Sequence, residues 1–354
     1  MTYSLFNGSY ISHENTGIGV VSKELSKLLP TESFGILDPL SSDEPGSIEI
    51  PSNMSPSYGY KGHLRRLIWL QRNVPLLMKK RSADFFISPL PEAPLFHSIR
   101  SIVLIHDLIP LRYPSFSILT AYNMTYVPQV LHQSEAILCN SNATAKEVNE
   151  YFGIPIQKLY PIKLGFNQFQ FYPLDLNRDK YFVVLGRHNP HKNLKRVLRA
   201  FSLIKAKEYK LILIGPFDKR YTPALKNLAV HLGIADRCVW MGWISSEQKL
   251  TLLNRCRALL LVSLWEGFGL PALEAMACGT PVIASNKGAL LEVLGDLGNF
   301  VDPLSLSSIV SMMEDVINDN QYLLTARDEG PTRASSYNWE DAVNSIEEII
   351  MNKS

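Results

Sequence analysis

Length, composition and charge exclude several classes of protein. The chain has 354 residues, of which 46% are hydrophobic and 19% charged, so it can form two domains with apolar cores and is not predicted to be disordered. A net charge of +2 does not indicate a nucleic-acid-binding protein, and no apolar run is long enough to predict a membrane-spanning helix.

The cysteines and the first residues predict the compartment. Four cysteines lack C-x-x-C spacing and lie in or beside apolar runs: Cys139, Cys238, Cys256 and Cys278. This pattern predicts buried thiols in a reducing compartment. The opening residues MTYSLFNGSYISHENTG lack the basic and apolar regions of a signal peptide. We therefore expect a cytoplasmic protein, with peripheral contact to the inner face of a membrane as a further hypothesis.

Short apolar runs predict the strands of the first half of the chain. They are Tyr3–Phe6, Phe34–Leu37, Asp84–Ser88, Ile102–Ile105, Ala136–Asn140 and Leu159–Ile162. Gly17 and Gly19, within the run Thr16 to Val20, form a predicted glycine loop before the amphipathic helix Val21–Leu29. Backbone N–H groups at the start of a helix can bind an anion, so this loop is a candidate phosphate contact.

The segment 61–81 is basic and contains no acidic residue. Its basic residues are Lys61, Arg65, Arg66, Arg72, Lys79, Lys80 and Arg81. Leu64, Leu67 and Ile68 add a partial helical stripe before Pro75. Two interpretations stay open: a segment that lies on an anionic bilayer, or a solvated basic face at the edge of a cleft.

A histidine and an aspartate end the strand Ser101–Ile105. His106 and Asp107 stand at the carboxyl end of a predicted parallel strand, where ligands bind in open α/β sheets. The structural alternative is a histidine bonded to a backbone carbonyl, with Asp107 capping the next turn. Ser141, the first residue of Ser141-Asn142-Ala143-Thr144, is predicted to be a helix N-cap.

Strands and helices alternate clearly in the second half. The strands are predicted at Tyr181–Leu185, Tyr209–Ile214, Arg237–Met241, Leu259–Leu264, Val282–Ala284 and Phe300–Val301, and Leu194–Ile204 is an amphipathic helix. This alternation predicts a parallel sheet with helices on both faces. The polar stretch Asn167–Lys180 is the predicted linker, which gives domains at 1–166 and 167–337, and a final helix follows at about 338–354.

The loop after Tyr181–Leu185 carries fixed positive charge. Arg187 and Lys192 follow Gly186 and precede the helix, so they can bind a diphosphate, Arg as a fork and Lys as a point charge. The alternative is a solvated basic loop in which Asn193 is an N-cap. His188 and His191 in the same loop allow a metal site as a weaker hypothesis.

A second loop follows the strand Leu259–Leu264. Pro271 suits the first turn of a helix over Ala272–Cys278, and Gly279 is the expected C-cap. The helix start makes an anion site. The candidate ligand-binding residues of this loop are Gly267, Phe268, Gly269 and Leu270.

Two carboxylates, Glu266 and Glu274, frame that loop. They only accept hydrogen bonds when ionised, so they suit sugar or ribose hydroxyls. Two alternatives exist for this loop. A dinucleotide fingerprint needs an acid about 20 residues further on, where Asn286 and Lys287 stand instead. The other alternative is a purely structural strand–turn–helix in which the acidic residue occurs by chance.

The run E-G-F-G-L-P-A-L-E-A-M-A-C-G-T-P-V-I-A-S resembles the nucleotide-sugar signature of family 4 glycosyltransferases. These are retaining enzymes of the GT-B fold, an α/β architecture of two Rossmann-like, doubly wound domains facing a cleft. The run H-D-L-I-P-L-R-Y-P resembles the H-D-x-x-P segment of the same family. The resemblance is strong over 180–302 and patchy over 16–165.

The resemblance implies roles for the candidate residues. Glu266 would bind hydroxyls of the donor sugar and Glu274 the ribose, while Arg187 and Lys192 would bind the diphosphate. In the first half, Gly17 and Gly19 would approach the donor phosphates and the acceptor. His106 would lie against the donor sugar at the reacting carbon, and Asp107 would orient the ring or receive an acceptor hydroxyl. The last helix would cross back onto the first domain.

The function expected from this resemblance is transfer of a hexose, with mannose favoured, from a GDP- or UDP-linked sugar to a hydroxyl of a glycan or lipid-linked acceptor. No D-x-D motif occurs, which agrees with a metal-independent enzyme. The nucleotide sugar is the donor substrate, and we expect no cofactor. A nucleotide-sugar epimerase and a non-catalytic nucleotide-sugar-binding subunit are the alternatives.

Overall fold

The computed structural model describes residues 2–11, 17–40, 45–114 and 116–354, which divide into two units. The first unit comprises Met1–Gly165 and Asn338–Ser354, and the second comprises Phe166–Tyr337. Each unit contains one sheet of parallel strands, and helices pack on the sheets. The predicted α/β class with two doubly wound sheets is therefore confirmed.

The first sheet has seven strands among the described residues. They are β1 (Ser4–Asn7), β2 (Phe34–Asp38), β3 (Ser47–Glu49), β4 (Phe85–Ser88), β5 (Ser101–Ile105), β6 (Ala136–Cys139) and β7 (Leu159–Pro161). Their spatial order is β3-β2-β1-β4-β5-β6-β7. Six strands match the predictions closely. The edge strand β3 was missed because Ser-Ile-Glu gives no apolar run, and none of its residues is fully buried.

Five helices of the first unit precede β7 in the described chain. They are α1 (Gly17–Leu28), α2 (Gly59–Arg81), α3 (Ile109–Arg112), α4 (Ile118–Gln133) and α5 (Asn142–Phe152). Ser141 caps α5 as predicted, since its hydroxyl accepts a hydrogen bond from the Thr144 N–H at 3.0 Å.

The predicted glycine loop before the first helix is wrong in its described part. The helix starts at Gly17, four residues before the predicted Val21, so Gly17 and Gly19 lie in its first turn; Thr16 lies outside the described residues. The buried face of α1 begins at Gly19 and continues through Val21 and Leu25. Packing of this face extends the helix over the glycines.

The helix α2 also exceeds its prediction, because it continues through Pro75 to Arg81. Proline inside a helix costs about 3 kcal/mol. Here Leu70, Val74 and Met78 lie buried on one face on both sides of the proline. Burying three large apolar side chains, at about 1.5–3 kcal/mol each, outweighs that cost.

The second sheet has six strands in the part of the chain that the structure describes. They are β8 (Tyr181–Leu185), β9 (Lys210–Ile214), β10 (Cys238–Met241), β11 (Ala258–Leu261), β12 (Val282–Ser285) and β13 (Gly298–Val301). The order is β10-β9-β8-β11-β12-β13. The chain therefore reverses its direction of winding between β8 and β11, and this switch point is where ligands bind in such sheets, beyond the carboxyl ends of the strands.

Helices of the second unit cover its sheet. They are α6 (Leu194–Leu203), α7 (Thr222–His231), α8 (Ser246–Arg255), α9 (Leu270–Ala277), α10 (Leu290–Leu294), α11 (Leu306–Asn318) and α12 (Gln321–Ser335). The last helix, α13 (Trp339–Lys353), belongs to the first unit and packs against α1.

Two further sequence predictions concern apolar segments and thiols. All four cysteines are free and buried, as predicted. Within the described ranges, no helix combines the length and the hydropathy that crossing a membrane requires.

Candidate active site

Two loops meet at the switch point of the second sheet. One follows β8 and the other follows β11, which are neighbouring strands. The Leu264 N–H donates to the His191 carbonyl at 2.7 Å and joins the loops directly. Gly186 opens the first loop at a φ of +134°, which only glycine adopts readily. A Cβ on Gly215, at the end of β9, would lie 2.0 Å from the Gly186 carbonyl oxygen, so this edge is closely packed backbone.

Lys192 and Glu266, one from each loop, form an ion pair. Lys192 Nζ lies 2.6 Å from Glu266 Oε1, and the Ser263 hydroxyl donates to the same oxygen at 2.5 Å. The two charged side chains are 18% and 10% exposed, so water screens the pair only partly. Since both bonds fall on Oε1, Oε2 can still accept a hydroxyl.

Ser263 was not among the predicted site residues. The strand was predicted to reach Leu264, but β11 ends at Leu261. Ser263 therefore lies in the loop, where its hydroxyl can reach a carboxylate three residues later. The sequence signal that could have identified it is a serine three residues before Glu266, at the end of the predicted strand.

Glu274 on α9 forms a second ion pair, with Lys249 on α8. Lys249 Nζ lies 2.5 Å from Glu274 Oε1, and the side chains are 25% and 12% exposed. Glu274 Oε2 is buried and has no hydrogen-bond partner. Burial raises the pKa of the Glu274 carboxyl, and the Lys249 ammonium offsets part of that rise. A buried oxygen that can only accept when ionised suits a ligand hydroxyl.

Lys249 was also missed by the sequence analysis. It lies 25 residues before Glu274 and on another helix, so only the folded chain brings them together. No local pattern could have identified it.

The start of α9 has the predicted geometry. Gly269 precedes the helix at a φ of +110°, Pro271 lies in the first turn, and Gly279 follows the helix at a φ of +61°. The helix begins at Leu270, two residues earlier than predicted. The Phe268 ring is buried and packs edge-on against Tyr337, with ring centroids 6.0 Å apart. A ligand contact by Phe268 would therefore fall to its backbone, as with Gly267 and Gly269.

The two predicted phosphate cations occupy different surroundings. Lys192 pairs with Glu266, whereas Arg187 is exposed and lines a pocket of about 210 Å³ with the loop after β9. Asp218 in that loop has a pKa lowered to about 2, chiefly by its hydrogen bond from Arg220, with the Arg187 charge contributing. Arg187 therefore shares its pocket with an acid, which reduces the positive potential there.

The other residues of the first loop are structural. Asn193 is not a side-chain N-cap, as the alternative interpretation proposed, because its amide donates to the carbonyls of Val262 and Pro303. His188 Nδ1 lies 2.7 Å from the Thr222 hydroxyl. Burial lowers the pKa of His191 to about 4, and the Lys192 charge adds to the effect. Over the described ranges, no group of three or more His, Cys, Asp or Glu side chains could hold a metal ion.

His106 lies at the carboxyl end of β5 in the first unit. Its Nε2 is 2.9 Å from the Pro89 carbonyl, which can only accept, so Nε2 carries the proton. Burial lowers the pKa of the imidazole to about 4 and keeps it neutral at neutral pH. The lone pair is then on Nδ1, and a neutral ring of this kind can accept a hydroxyl. The Asn140 amide donates to the His106 carbonyl at 2.8 Å and fixes the backbone there; its role was not predicted.

Asp107 caps the turn that follows. Its Oδ1 accepts from the Ile109 N–H at 2.9 Å, at the start of α3. The bonds of both His106 and Asp107 are those of the structural alternative. These hydrogen bonds hold the two side chains in place. The roles that the family resemblance implies for His106 and Asp107 stay predictions.

Comparison with known families gives two matches. The family model described as "Glycosyl transferases group 1" matches residues 167–333, and the model described as "Glycosyltransferase Family 4" matches residues 17–168. The first match spans all strands of the second sheet, and the second match spans the strands of the first sheet except β1. No dinucleotide-binding alternative is needed for the glycine loop after β11.

Curated relatives include bacterial mannosyltransferases. The chain is 26% identical over 266 residues to the serotype-specific mannosyltransferase WbdA of Escherichia coli, and the match covers 69% of this chain and 32% of that protein. It is 27% identical over 376 residues to O-antigen chain mannosyltransferase B of Escherichia coli, covering 95% of this chain and 96% of the relative. The chain thus spans about a third of the first relative and nearly all of the second.

A solved structure supports the fold. Anabaena HepE in complex with UDP is similar over 100% of both chains, with a TM-score of 0.75 and 16% sequence identity. At this identity the likeness concerns the fold alone, which is that of the GT-B glycosyltransferases.

Proposed function

The chain belongs to glycosyltransferase family 4, and we propose that it transfers a hexose from a nucleotide diphosphate sugar to a hydroxyl of a glycan or lipid-linked acceptor. The observation that carries this proposal is the ion pair of Lys192 and Glu266, which joins the two loops at the switch point of the second sheet. It brings a hydroxyl acceptor and a cation that can bind phosphate together where α/β sheets bind ligands.

The second unit would bind the donor. We assign the diphosphate to Lys192, Arg187 and the backbone from Gly267 to Leu270 at the start of α9, which together provide positive charge. Glu266 Oε2 would accept a hydroxyl of the sugar. Glu274 Oε2, buried and without a partner, would accept a hydroxyl of the ribose.

These positions suit the chemical task. As the bond from the sugar to the diphosphate breaks, negative charge grows on the departing phosphate and positive charge grows on the sugar ring. Fixed cations stabilise the first, and a carboxylate beside the ring stabilises the second. We propose that the reaction retains the configuration at the sugar carbon and needs no metal, as the family resemblance implies.

His106 would act on the donor sugar. Its neutral ring offers Nδ1 as an acceptor, and its bond to Pro89 fixes the orientation of the ring. Asp107 would position the ring through the turn that it caps, or receive an acceptor hydroxyl. Gly17 and Gly19 would contribute backbone N–H groups from the first turn of α1.

Mannose is the hexose that we propose, because both curated relatives named above are mannosyltransferases. GDP-mannose is therefore the first donor to test, and UDP-linked sugars are the comparison, since HepE was solved with UDP. The decisive experiment incubates the protein with a panel of nucleotide sugars, with and without a bacterial lipid extract, and measures release of the nucleotide diphosphate.

Release that depends on the extract, with radiolabelled sugar appearing in lipid or glycan, supports the proposal. Interconversion of the nucleotide sugar without an acceptor would instead indicate an epimerase. Binding without turnover of any donor in the presence of extract would indicate a non-catalytic subunit.

A further inference from the structure

Lys249 and Glu274 stand at helix positions that the local electrostatics disfavour. Lys249 ends the first turn of α8, where the partial positive charge of a helix start repels a cation. Glu274 begins the last turn of α9, where the partial negative charge of a helix end repels an anion. The stability of its own helix therefore explains neither residue, and each needs a partner from outside that helix.

The two charges compensate each other across the helices. Lys249 Nζ lies 2.5 Å from Glu274 Oε1, and both side chains are mostly buried. Among the described residues, Glu274 Oε2 has no hydrogen-bond partner, although it is buried as well. A buried carboxylate oxygen without a partner costs free energy unless a ligand supplies a donor. The ion pair thus uses one oxygen of Glu274 and leaves the other for a ligand.

A capping box fixes the start of α8 directly before Lys249. The Ser245 hydroxyl accepts from the Gln248 N–H at 3.1 Å, and the Gln248 side chain accepts from the Ser245 N–H at 3.0 Å. Such reciprocal bonds satisfy two backbone donors and set the direction of the first turn. The backbone that carries Lys249 is therefore held in one orientation.

The segment before β8 holds the Lys249 ammonium from another side. The buried Phe171 ring has its centroid 5.0 Å from Lys249 Nζ, a distance at which a ring face attracts a cation. This segment is tied to α8 by Asn254, which accepts from the Leu174 N–H at 2.7 Å and donates to the Tyr172 carbonyl at 3.0 Å. The ammonium group is thus fixed between an aromatic ring and the Glu274 carboxylate.

Several elements pack on α9 and surround Glu274. The strands β11 and β12 carry no titratable side chain in their sequences ALLL and VIAS. On α9 itself, burial raises the pKa of the Cys278 thiol to about 12 and keeps it neutral. The pKa of the Glu274 carboxyl is set by burial, which raises it, and by Lys249, which lowers it. The charged residues on the other helices that pack on α9 are Glu292 of α10 and Arg327, Asp328, Glu329 and Arg333 of α12.

We propose that Lys249 is a positioning residue that keeps Glu274 ionised and its Oε2 directed to a ligand, and so makes the nucleotide site select ribose over a sugar without hydroxyls. This inference rests on the proposed assignment of Glu274 to the ribose, and it adds the residue on which that recognition depends. Without Lys249 the buried carboxyl would take up a proton. Its bonds to the hydroxyls would then be those of a neutral group, which are weaker by about tenfold in affinity.

The test compares each nucleotide with an analogue that lacks the ribose hydroxyls. Calorimetry measures the affinities of GDP and dideoxy-GDP, and of UDP and dideoxy-UDP. The range from about pH 6 to about pH 9 covers the titration of a carboxyl whose pKa is strongly raised. The ratio of the two affinities isolates the hydroxyl contact, because titration of the phosphate and damage elsewhere in the site affect both ligands.

Variants of the ion pair separate its charge from its structural role. In K249M the ratio should fall about tenfold at about pH 6 and recover towards pH 9, because Glu274 is then ionised again. K249R keeps the charge and should retain the parent ratio within a few-fold. E274Q should give a low ratio at every pH, and adding K249M to it should change the ratio no further. The matched control K195M removes an exposed lysine from the first turn of α6 and should behave like the parent.

The ionisation of Glu274 can also be followed without a nucleotide. Carbon-13 NMR of protein labelled at the glutamate carboxyl carbons identifies Glu274 by the signal that is missing in E274Q. Its titration midpoint should rise by about one to three pH units in K249M. A parent-like midpoint or a parent-like ratio in K249M would overturn the proposal. So would an equal loss of affinity for both ligands, because Lys249 would then contact the nucleotide or support the fold.

Failure of this inference can be told apart from failure of the proposed function. If the parent binds GDP and dideoxy-GDP equally well, and UDP and dideoxy-UDP likewise, the assignment of Glu274 to the ribose is wrong, and the role of Lys249 in recognition is excluded with it. If the parent distinguishes them and K249M does so equally at every pH, only the role of Lys249 is wrong. Sugar transfer to an acceptor is measured separately from both results.

Discussion

Replacing Glu266 by glutamine should strengthen the binding of a free nucleoside diphosphate while impairing the reaction. Lys192 donates to Glu266 at 2.6 Å. A phosphate can engage Lys192 fully only when that bond is weakened. Glu266→Gln removes the competing charge and leaves a side chain that still fits the loop.

The size of the effect follows from the contact. A hydrogen bond to a charged group contributes about 1.5–3 kcal/mol, and a neutral one about 0.5–1.5 kcal/mol. Exchanging the first for the second therefore frees Lys192 by about 1–2 kcal/mol, because the pair is only 18% and 10% exposed. This corresponds to roughly five- to thirtyfold tighter binding of GDP or UDP. Turnover should fall by about a hundredfold or more, since the proposed contact to the sugar is weakened in the transition state.

Titration calorimetry with GDP and UDP measures the affinity, and release of the nucleotide diphosphate measures turnover. Glu329→Gln is the control, because it removes an exposed acid from the same unit. In K192M/E266Q the gain in affinity should disappear. Two results would refute the competition between Glu266 and phosphate for Lys192. One is an unchanged affinity of Glu266→Gln for GDP and UDP. The other is an equal gain of affinity in K192M/E266Q.

Four further predictions concern the same site and the unit with His106. Glu274→Ala should weaken GDP or UDP binding about ten- to a hundredfold, because a charge-assisted bond to ribose is lost; unchanged affinity by calorimetry would exclude the ribose assignment. Activity should persist in excess EDTA, and a loss restored by manganese would contradict metal independence. Arg187→Ala should weaken nucleotide binding and slow the reaction, whereas His106→Ala should reduce turnover by about a hundredfold at nearly unchanged affinity; near-normal turnover would make His106 structural. Burial lowers the pKa of His106 to about 4, so below pH 6.5 the unfolded chain binds more protons than the folded one. The free energy of unfolding should therefore fall as the pH falls from 6.5 towards 4. Urea titrations should show a smaller fall for His106→Gln.

Much of the fold could be predicted from local pattern. Most strands of both sheets, though not β3, are short apolar runs bounded by polar or glycine residues, and their parallel pairing follows from alternation with helices. Errors arose where packing overrides local preference. The helix α2 continues through Pro75 because Val74 and Met78 are buried beneath it, and α1 includes Gly19 because its buried face starts there.

The candidate site was predictable only in its local parts. Glu266 and Glu274 stand in one loop and one helix, so a short motif identifies them. Their lysine partners come from other elements: Lys192 follows β8, and Lys249 lies on α8. Lys192 is predicted from the sequence to contact phosphate, but its pairing with an acid could not be predicted, because that contact depends on β8 and β11 being neighbours.

This pairing has a consequence for the order of binding and release. In the proposed assignment, a complete donor would offer a sugar hydroxyl to Glu266 while its diphosphate takes Lys192, so both members of the ion pair would gain a new partner. A free nucleotide diphosphate would engage only Lys192 and leave the Glu266 carboxylate beside a phosphate. We therefore expect the site to hold the donor more tightly than the nucleotide product, since like charges in a partly buried site repel strongly. On this argument the ion pair of Lys192 and Glu266 would promote product release, and Glu266→Gln should slow that release as it tightens nucleotide binding.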